Sequence, residues 1–295
     1  MILSKNQKIS QELLEEKLEA IFQKYSRSSF IDSDPIGIVH EYEDTNDQEF
    51  TAFISSTFAF GNVTYIRRVL KKILKLLGKH PAEALLNMSY RDKKLFKNCN
   101  YRWINSDAIQ SLIFILSSIY KKYGSLENCF LKEYKEETET LRDPLIHFRN
   151  KLMNESRNLN LNVKTSKGLH YLLPDPSKSS ACKRFNLFLR WVIRPSDGVD
   201  LGLWHSIKTR QLIIPLDTHI AKICFQIGLT KRKAINYMMA EDITNSLRKI
   251  DPIDPIRFDF AISRLGILRH CPKKKVIRIC CECPIKEICV NWERN

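Results

Sequence analysis

Three observations predict an all-α protein. Apolar residues recur at helical spacing in nearly every readable segment, and no run alternates with period two. The single Asp-Gly pair, Asp197-Gly198, follows a helical pattern instead of joining two β-rich runs. With 295 residues, 43% of them hydrophobic and 27% charged, the chain suits one large domain or two modest ones around a buried core. Collagen, wholesale disorder and a membrane bundle are excluded by this composition.

The elements follow in order. Ser10 is the expected N-cap of a helix whose stripe is Leu14, Leu18, Ile21 and Tyr25. Ser26 to Asn46 is a polar connection containing Asp34-Pro35. After Asp47, Phe50, Phe53, Ile54 and Phe58 mark a second helix. Asn62 caps a third, with Val63, Ile66, Leu70, Ile73 and Leu77 on one face and Arg67, Arg68, Lys71, Lys72 and Lys75 on the other. Ser106 precedes Ile109, Leu112, Ile113, Leu116 and Tyr120, again one side of a helix. Asp143-Pro144 and Asp254-Pro255 both have the form of an N-cap followed by Pro at the first helical position. Asn154 to Ser180, with Pro174-Asp175-Pro176, and Pro195 to Gly202 are expected loops. Between them Ser179 or Ser180 caps a helix with Leu187, Val192 and Ile193 on its apolar face.

Charge narrows the partners. The 48 Lys and Arg against 33 Asp and Glu give a formal charge of +15, which points to a polyanion, most simply nucleic acid. The N-terminus lacks the apolar region and small-residue cleavage site of a signal peptide. The longest apolar stretch, Ile109 to Ile119, is well short of the roughly 20 residues that cross a bilayer. A cytoplasmic, nucleoid-associated monomer without membrane attachment is expected.

Of nine cysteines, Cys99, Cys129, Cys182 and Cys224 sit among apolar neighbours and read as small buried hydrophobes. The other five crowd the tail. Cys271, Cys280, Cys283 and Cys289 are spaced C-x8-C-x2-C-x5-C, short loops that bring four thiolates to one centre at little entropic cost. A structural zinc site usually pairs two C-x2-C knuckles, and only one is present. A [4Fe-4S] cluster takes four thiolates on uneven loops and is preferred, with zinc as the alternative. Cys281 is a spare that replaces Cys280 if the loop shifts by one residue. Lys273, Lys274, Lys275 and Arg278 lie in the first loop, placed to meet phosphate.

Two further residues carry candidate chemistry. Asp217, in Ile213-Ile214-Pro215-Leu216-Asp217-Thr218-His219-Ile220, reads first as the N-cap of a helix starting at Thr218. Capping also holds a carboxylate in place and keeps it ionised. Lys183, in SSACKRFNLFLRWVIR, falls in the first turn of its helix, where the macrodipole disfavours a cation and so favours the free amine that attacks an electrophile. A surface Lys beside Arg184 is the competing reading.

The cysteine spacing, the Leu-Asp-Thr-His-Ile stretch and the preceding Lys together resemble the helix-hairpin-helix DNA glycosylase superfamily, in particular endonuclease III and MutY. The last two cysteine gaps match that family's, whereas its first gap is six residues instead of eight. Asp217 stands 54 residues before Cys271, in the family's order. The family's L-P-G-x-G hairpin is replaced by Leu173-Pro174-Asp175-Pro176-Ser177, without glycine, which makes Lys178 a rival to Lys183. The 34-residue gap from Lys183 to Asp217 is closer to that of archaeal 8-oxoguanine glycosylases.

The resemblance implies a two-lobed helical fold, with 46–184 as a central barrel lobe ending in a divergent hairpin. Residues 1–45 and 185–295 would form the second lobe with the iron–sulfur loop. It further implies base-excision repair of double-stranded DNA carrying an oxidised base such as 8-oxoguanine. Asp217 then stabilises charge at C1′, Lys183 forms a Schiff base for an AP-lyase step, and the cluster is structural. Arg184, Lys178 and the basic cysteine loop would contact DNA. Phe58 or Phe60 occupies the place of the family's wedge, and Trp191 and Trp204 are possible faces for an extruded base, although all four also suit a core. The alternatives are a non-catalytic nucleic-acid-binding protein that keeps the fold and metal site, and a zinc-stabilised RNA-binding module.

Overall fold

The structure is a computed structural model that describes residues 10–26, 28–89, 92, 94–159, 161, 167–272 and 274–293. The protein is all-α: among the described residues the only β pairing is an isolated bridge between Tyr101 and Ile104. No helix is long and apolar enough to cross a membrane, within the same residues.

Local signals place most helix starts. Helix α1 (Gln11–Tyr25) begins as Ser10 accepts a hydrogen bond from the Leu13 amide, and buries Leu18, Ile21 and Tyr25. The connection that follows is not a polar loop. Residues 28–33 and 35–41 form two 3-10 helices, the second opened by the Asp34 cap and Pro35, and Ile36, Ile38 and Val39 are fully buried. Helix α2 (Thr45–Thr57) is capped by Asp44. Asp47 is instead buried one turn in, where it accepts from the Ala82 amide at 2.8 Å and fastens the start of α4. Asn62 caps α3 (Val63–Leu77), which buries its apolar face and leaves Lys71, Lys72 and Lys75 exposed. Helices α4 (Pro81–Asn87), α5 (Ser106–Tyr123) and α6 (Leu126–Leu131) follow, with Asn105 capping α5.

Helix α7 (Arg142–Asn158) starts after Leu141, so Asp143 lies inside its first turn and is no cap. The reason is tertiary: buried Leu141 is pinned by its amide to the Gln211 carbonyl at 3.2 Å, and the helix begins from that anchor. The expected loop from Asn154 is likewise shorter, because α7 runs to Asn158 and α8 (Lys167–Leu172) lies within it. Helices α9 (Lys183–Ile193), α10 (Thr218–Gln226), α11 (Tyr237–Arg248) and α12 (Asp259–Ile267) come next, and the short α13 (Ile277–Cys280) and α14 (Val290–Glu293) close the chain. Asp254-Pro255 opens a turn and not a helix; its carboxylate is taken by Arg194 Nε at 2.9 Å.

Helix α2 is central: α9, α4 and the 35–41 turn all pack on it. Phe53 of α2 meets Phe188 of α9 edge to face at 5.1 Å, and Phe188 in turn meets Trp204 at 5.2 Å. The indole N–H of Trp204 donates to buried Glu49, which also accepts from Tyr120 and the Leu126 and Glu127 amides. Burial raises the Glu49 carboxyl above its ordinary value, and these donors offset only part of that rise. A second group comprises α1 on α12 and α12 on α10.

Helix α9 links the two groups through charge. Arg190 and Arg194, both buried, hold Asp259 at the start of α12 (2.7 Å from Arg190) and Asp200 in the 195–202 loop (3.1 Å from Arg190). Arg264 of α12 reaches back to Asp34 and Ser33. Removing one partner of such a network strands a buried charge, a loss of about 3–5 kcal/mol.

Candidate active site

Two helix N-termini converge here. The turn before α9 runs through Cys182, which adopts a left-handed backbone (φ 46°), uncommon for a non-glycine residue. Cys182 occupies the N-cap position without a side-chain capping hydrogen bond, so neither Ser179 nor Ser180 is the cap. Ser180 Oγ instead accepts from the Cys182 amide at 3.2 Å. Lys183 is therefore the first residue of α9 and lies partly exposed at its end.

At α10 the cap is the expected one. Asp217 Oδ1 accepts from the His219 amide at 2.8 Å and the Ile220 amide at 2.9 Å, fixing the carboxylate. Its other oxygen, Oδ2, faces Lys183 Nζ at 3.3 Å. One oxygen anchors the group and the second meets the amine. The segment leading in, Ile213 to Leu216, is buried, and Thr244 Oγ1 accepts from the Ile214 amide at 3.1 Å.

The α8–α9 connection is held from behind by α7. Arg149 Nε donates to the Leu173 carbonyl at 3.4 Å. Arg142 donates to the Pro176 and Lys178 carbonyls at 3.2 and 3.3 Å, and lies 3.9 Å over the Tyr237 ring. Asp175 Oδ1 accepts from the amide and hydroxyl of Ser177, closing the turn without glycine. Lys178 is exposed and forms no ion pair with Asp217. Arg184 is committed to protein carbonyls, donating to Thr57 at 3.1 Å and to Tyr171, and burial lowers its guanidinium to about 10.

The four tail cysteines, Cys271, Cys280, Cys283 and Cys289, line one small cavity. Cys281 does not; its Sγ turns to the Arg278 carbonyl at 3.6 Å. Burial pushes the Cys271 thiol up, and that of Cys283 up to about 11, in part because the other thiols surround each of them. Among the described residues no three His, Cys, Asp or Glu side chains are gathered tightly enough to hold a single metal ion. The donors of one tetrahedral zinc stand about 3.8 Å apart, given Zn–S bonds of about 2.3 Å. Four thiols lining one cavity are a donor set that either zinc or a [4Fe-4S] cluster would take. Helix α10 buttresses this loop: Lys222 Nζ donates to the Cys271 and Pro272 carbonyls at 2.5 and 3.1 Å, and Cys271 Sγ donates to Gln226 Oε1 at 3.3 Å. Lys274 and Arg278 are exposed, whereas Lys275 donates to the Trp292 carbonyl and lies 4.8 Å over its ring. Lys273 falls outside the described residues.

Trp191 and Trp204 are each 1% exposed, so neither is a face for an extruded base; both are core. Phe58 is also fully buried, and Phe60 belongs to a cluster with Tyr101, Trp103 and Tyr171. Sequence reasoning misses Arg142, Arg149, Lys222 and Gln226. The seven-residue interval between Arg142 and Arg149 does place both on one helix face. Nothing local says that a distant turn lies against that face.

Residues 34–268 match the model of a family described as "Protein of unknown function (DUF2400)", and the chain belongs to that family. No curated protein and no solved structure matches it.

Proposed function

We propose that this DUF2400 protein is a base-excising DNA glycosylase with an associated lyase step, in which Lys183 is the amine nucleophile and Asp217 its carboxylate partner. The observation that carries the reading is the 3.3 Å approach of Lys183 Nζ to Asp217 Oδ2, from two helix starts separated by 34 residues. An amine and an anchored carboxylate at that separation suit chemistry at a sugar carbon that becomes positive as its base departs.

The neutral amine of Lys183 attacks C1′, and the C1′–base bond breaks with its electron pair going to the base, which takes up a proton. Asp217 stabilises the developing positive charge and accepts the proton released from the amine. The N,O-acetal at C1′ then opens to a Schiff base: the C1′–O4′ bond breaks with its electron pair going to O4′, which takes the proton held by Asp217. Loss of a C2′ proton then breaks the C3′–O bond and expels the 3′ phosphate. The target nucleotide must leave the duplex stack for any of this to occur.

Cys271, Cys280, Cys283 and Cys289 would hold a [4Fe-4S] cluster with a structural task, bracing the tail against α10, the helix that Asp217 caps. The net charge of +15 and exposed Lys178, Lys274 and Arg278 support a duplex DNA partner. The excised base is proposed to be an oxidised one.

The test is borohydride trapping on duplexes carrying 8-oxoguanine, oxidised pyrimidines, uracil or an abasic site. A covalent adduct on one lesion that disappears with Lys183→Ala and survives Lys178→Ala is the expected result. Neither adduct nor base release on any duplex would defeat the reading and leave a binding protein.

A further inference from the structure

We propose that the surface running from Tyr171 across Trp103 to Tyr65 binds an unpaired stretch of DNA, its bases stacking on these rings and its phosphates held in the adjoining basic cleft. Three exposed aromatic rings are found among the large apolar side chains that face solvent: Tyr65 at 58%, Trp103 at 55% and Tyr171 at 38%. Trp103 and Tyr171 are in contact, and Tyr65 lines the same cleft as Arg102, the residue before Trp103. Each is also partnered by an arginine: Arg68 lies 5.4 Å from the Tyr65 ring centre, Arg102 lies 4.5 Å from Trp103, and Arg184 lies 4.4 Å from Tyr171.

The rings are linked into a strip. Trp103 and Tyr171 meet edge to face at 5.1 Å, and Phe60 packs beneath both at 5.6 and 4.9 Å. Tyr101 continues from Phe60 into a cleft of about 620 Å³. That volume falls within the range of about 300–1,000 Å³ usual for ligand clefts. Arg68, Lys72 and Arg102 supply its charge and three asparagines add hydrogen-bonding groups; among the described residues no Asp or Glu lines it. At its rim Gly61 has φ +100°, and a Cβ there would stand 2.8 Å from Tyr101 Oη and 2.9 Å from Arg102 Nη1. The glycine thus lets Tyr101 and Arg102 close on the turn and sets the cleft beside the rings.

The chemistry selects the ligand. An exposed ring stacks only on a base whose face is free, which a paired duplex does not offer, and Arg68, Lys72 and Arg102 beside the rings supply the charge that the phosphates of a strand require. The strip reaches Arg184, the residue after Lys183, so a strand held on it leads toward the candidate active site. The choice of DNA as the polymer rests on the proposed function. The stacking surface itself does not.

The test uses the full chain with a labelled oligothymidylate, a fully paired duplex of equal length and an oligouridylate, read by anisotropy. Wild type should bind oligothymidylate more tightly than duplex. Trp103→Ala should weaken that binding about tenfold with little effect on duplex. Arg68→Glu with Lys72→Glu should reduce the slope of log Kd against log salt by about 0.7 for each phosphate no longer neutralised. Because Trp103 and Arg68 are exposed, unchanged melting curves exclude misfolding. Equal affinity for single strand and duplex, or no effect of Trp103→Ala, overturns the proposal even if trapping succeeds. Tighter binding of oligouridylate overturns the assignment to DNA. Selective oligothymidylate binding that disappears with Trp103→Ala, alongside failed trapping on every lesion, supports this surface and defeats the glycosylase reading.

Discussion

Asp217 divides its two carboxylate oxygens between two tasks: Oδ1 caps α10 through the His219 and Ile220 amides, and Oδ2 stands 3.3 Å from Lys183 Nζ. The division allows the tasks to be separated by substitution. Asn at this position still caps a helix but carries no charge, whereas Ala does neither. Asp217→Asn should therefore leave thermal stability nearly unchanged and lower single-turnover base release about 100-fold or more. Asp217→Ala should lose the same activity and, in addition, about 1 kcal/mol of stability. Melting curves and turnover measured on both variants check this. Full activity in Asp217→Asn would reduce Asp217 to a helix cap.

What could be read in advance divides along physical lines. The Asp217, Asn62 and Ser10 caps are local, each set by a side chain and amides two or three residues on, and each is found where expected. The cap expected at Asp143 fails because a distant contact, from Leu141 to Gln211, sets where α7 begins. Residues 26–46 read as a loop because Pro35 and the polar residues around it outweigh Ile36, Ile38 and Val39. A 3-10 turn buries those three without any 3.6-residue period. Lys183 and Asp217 are each legible as residues of interest, but their approach across 34 positions has no local signal and comes only with the family resemblance. The choice between Cys280 and Cys281 likewise depends on the direction of each side chain, which spacing alone does not fix.

Gly266 illustrates a position whose importance a helical pattern conceals. A Cβ added there would lie 2.7 Å from both Cβ and Nδ1 of His219, two residues past Asp217. His219 Cβ sits on its own backbone and cannot swing away, so α12 and α10 must separate. Gly266→Ala should cost about 1–3 kcal/mol by overpacking, despite the better helix propensity of Ala. Because the displaced helix carries Asp217, base release should fall as well. A variant more stable than wild type would show that α12 yields without strain.

The tail cysteines separate in the same way. Cys280 lines the shared cavity and Cys281 faces the Arg278 carbonyl outside it. If a [4Fe-4S] cluster occupies the site, Cys280→Ser should lose most of its iron and sulfide after anaerobic purification, and Cys281→Ser should retain both. Loss of the group should also lower the melting temperature, since α10 is fastened to the loop through Lys222 and Gln226. One equivalent of zinc with no iron in wild type would replace the cluster by the alternative metal.

Asp259 gives the protein a stability trend opposite to that of an ordinary ion-paired carboxylate. Burial pushes its carboxyl up from 3.8 to about 6, against the pull of Arg190 and with a smaller push from the charge of Asp217. The folded state therefore binds this proton more tightly than the unfolded state does. Its contribution is complete below about pH 4 and is lost as pH rises through about 6. Denaturant unfolding of wild type and Asp259→Asn at intervals from about pH 4 to about pH 8 isolates the effect. The wild-type minus variant difference should fall between about pH 4 and about pH 6 and flatten above about pH 7. A difference that instead grows across that interval would show that Arg190 holds the carboxylate ionised, and that the ion pair outweighs the desolvation around it.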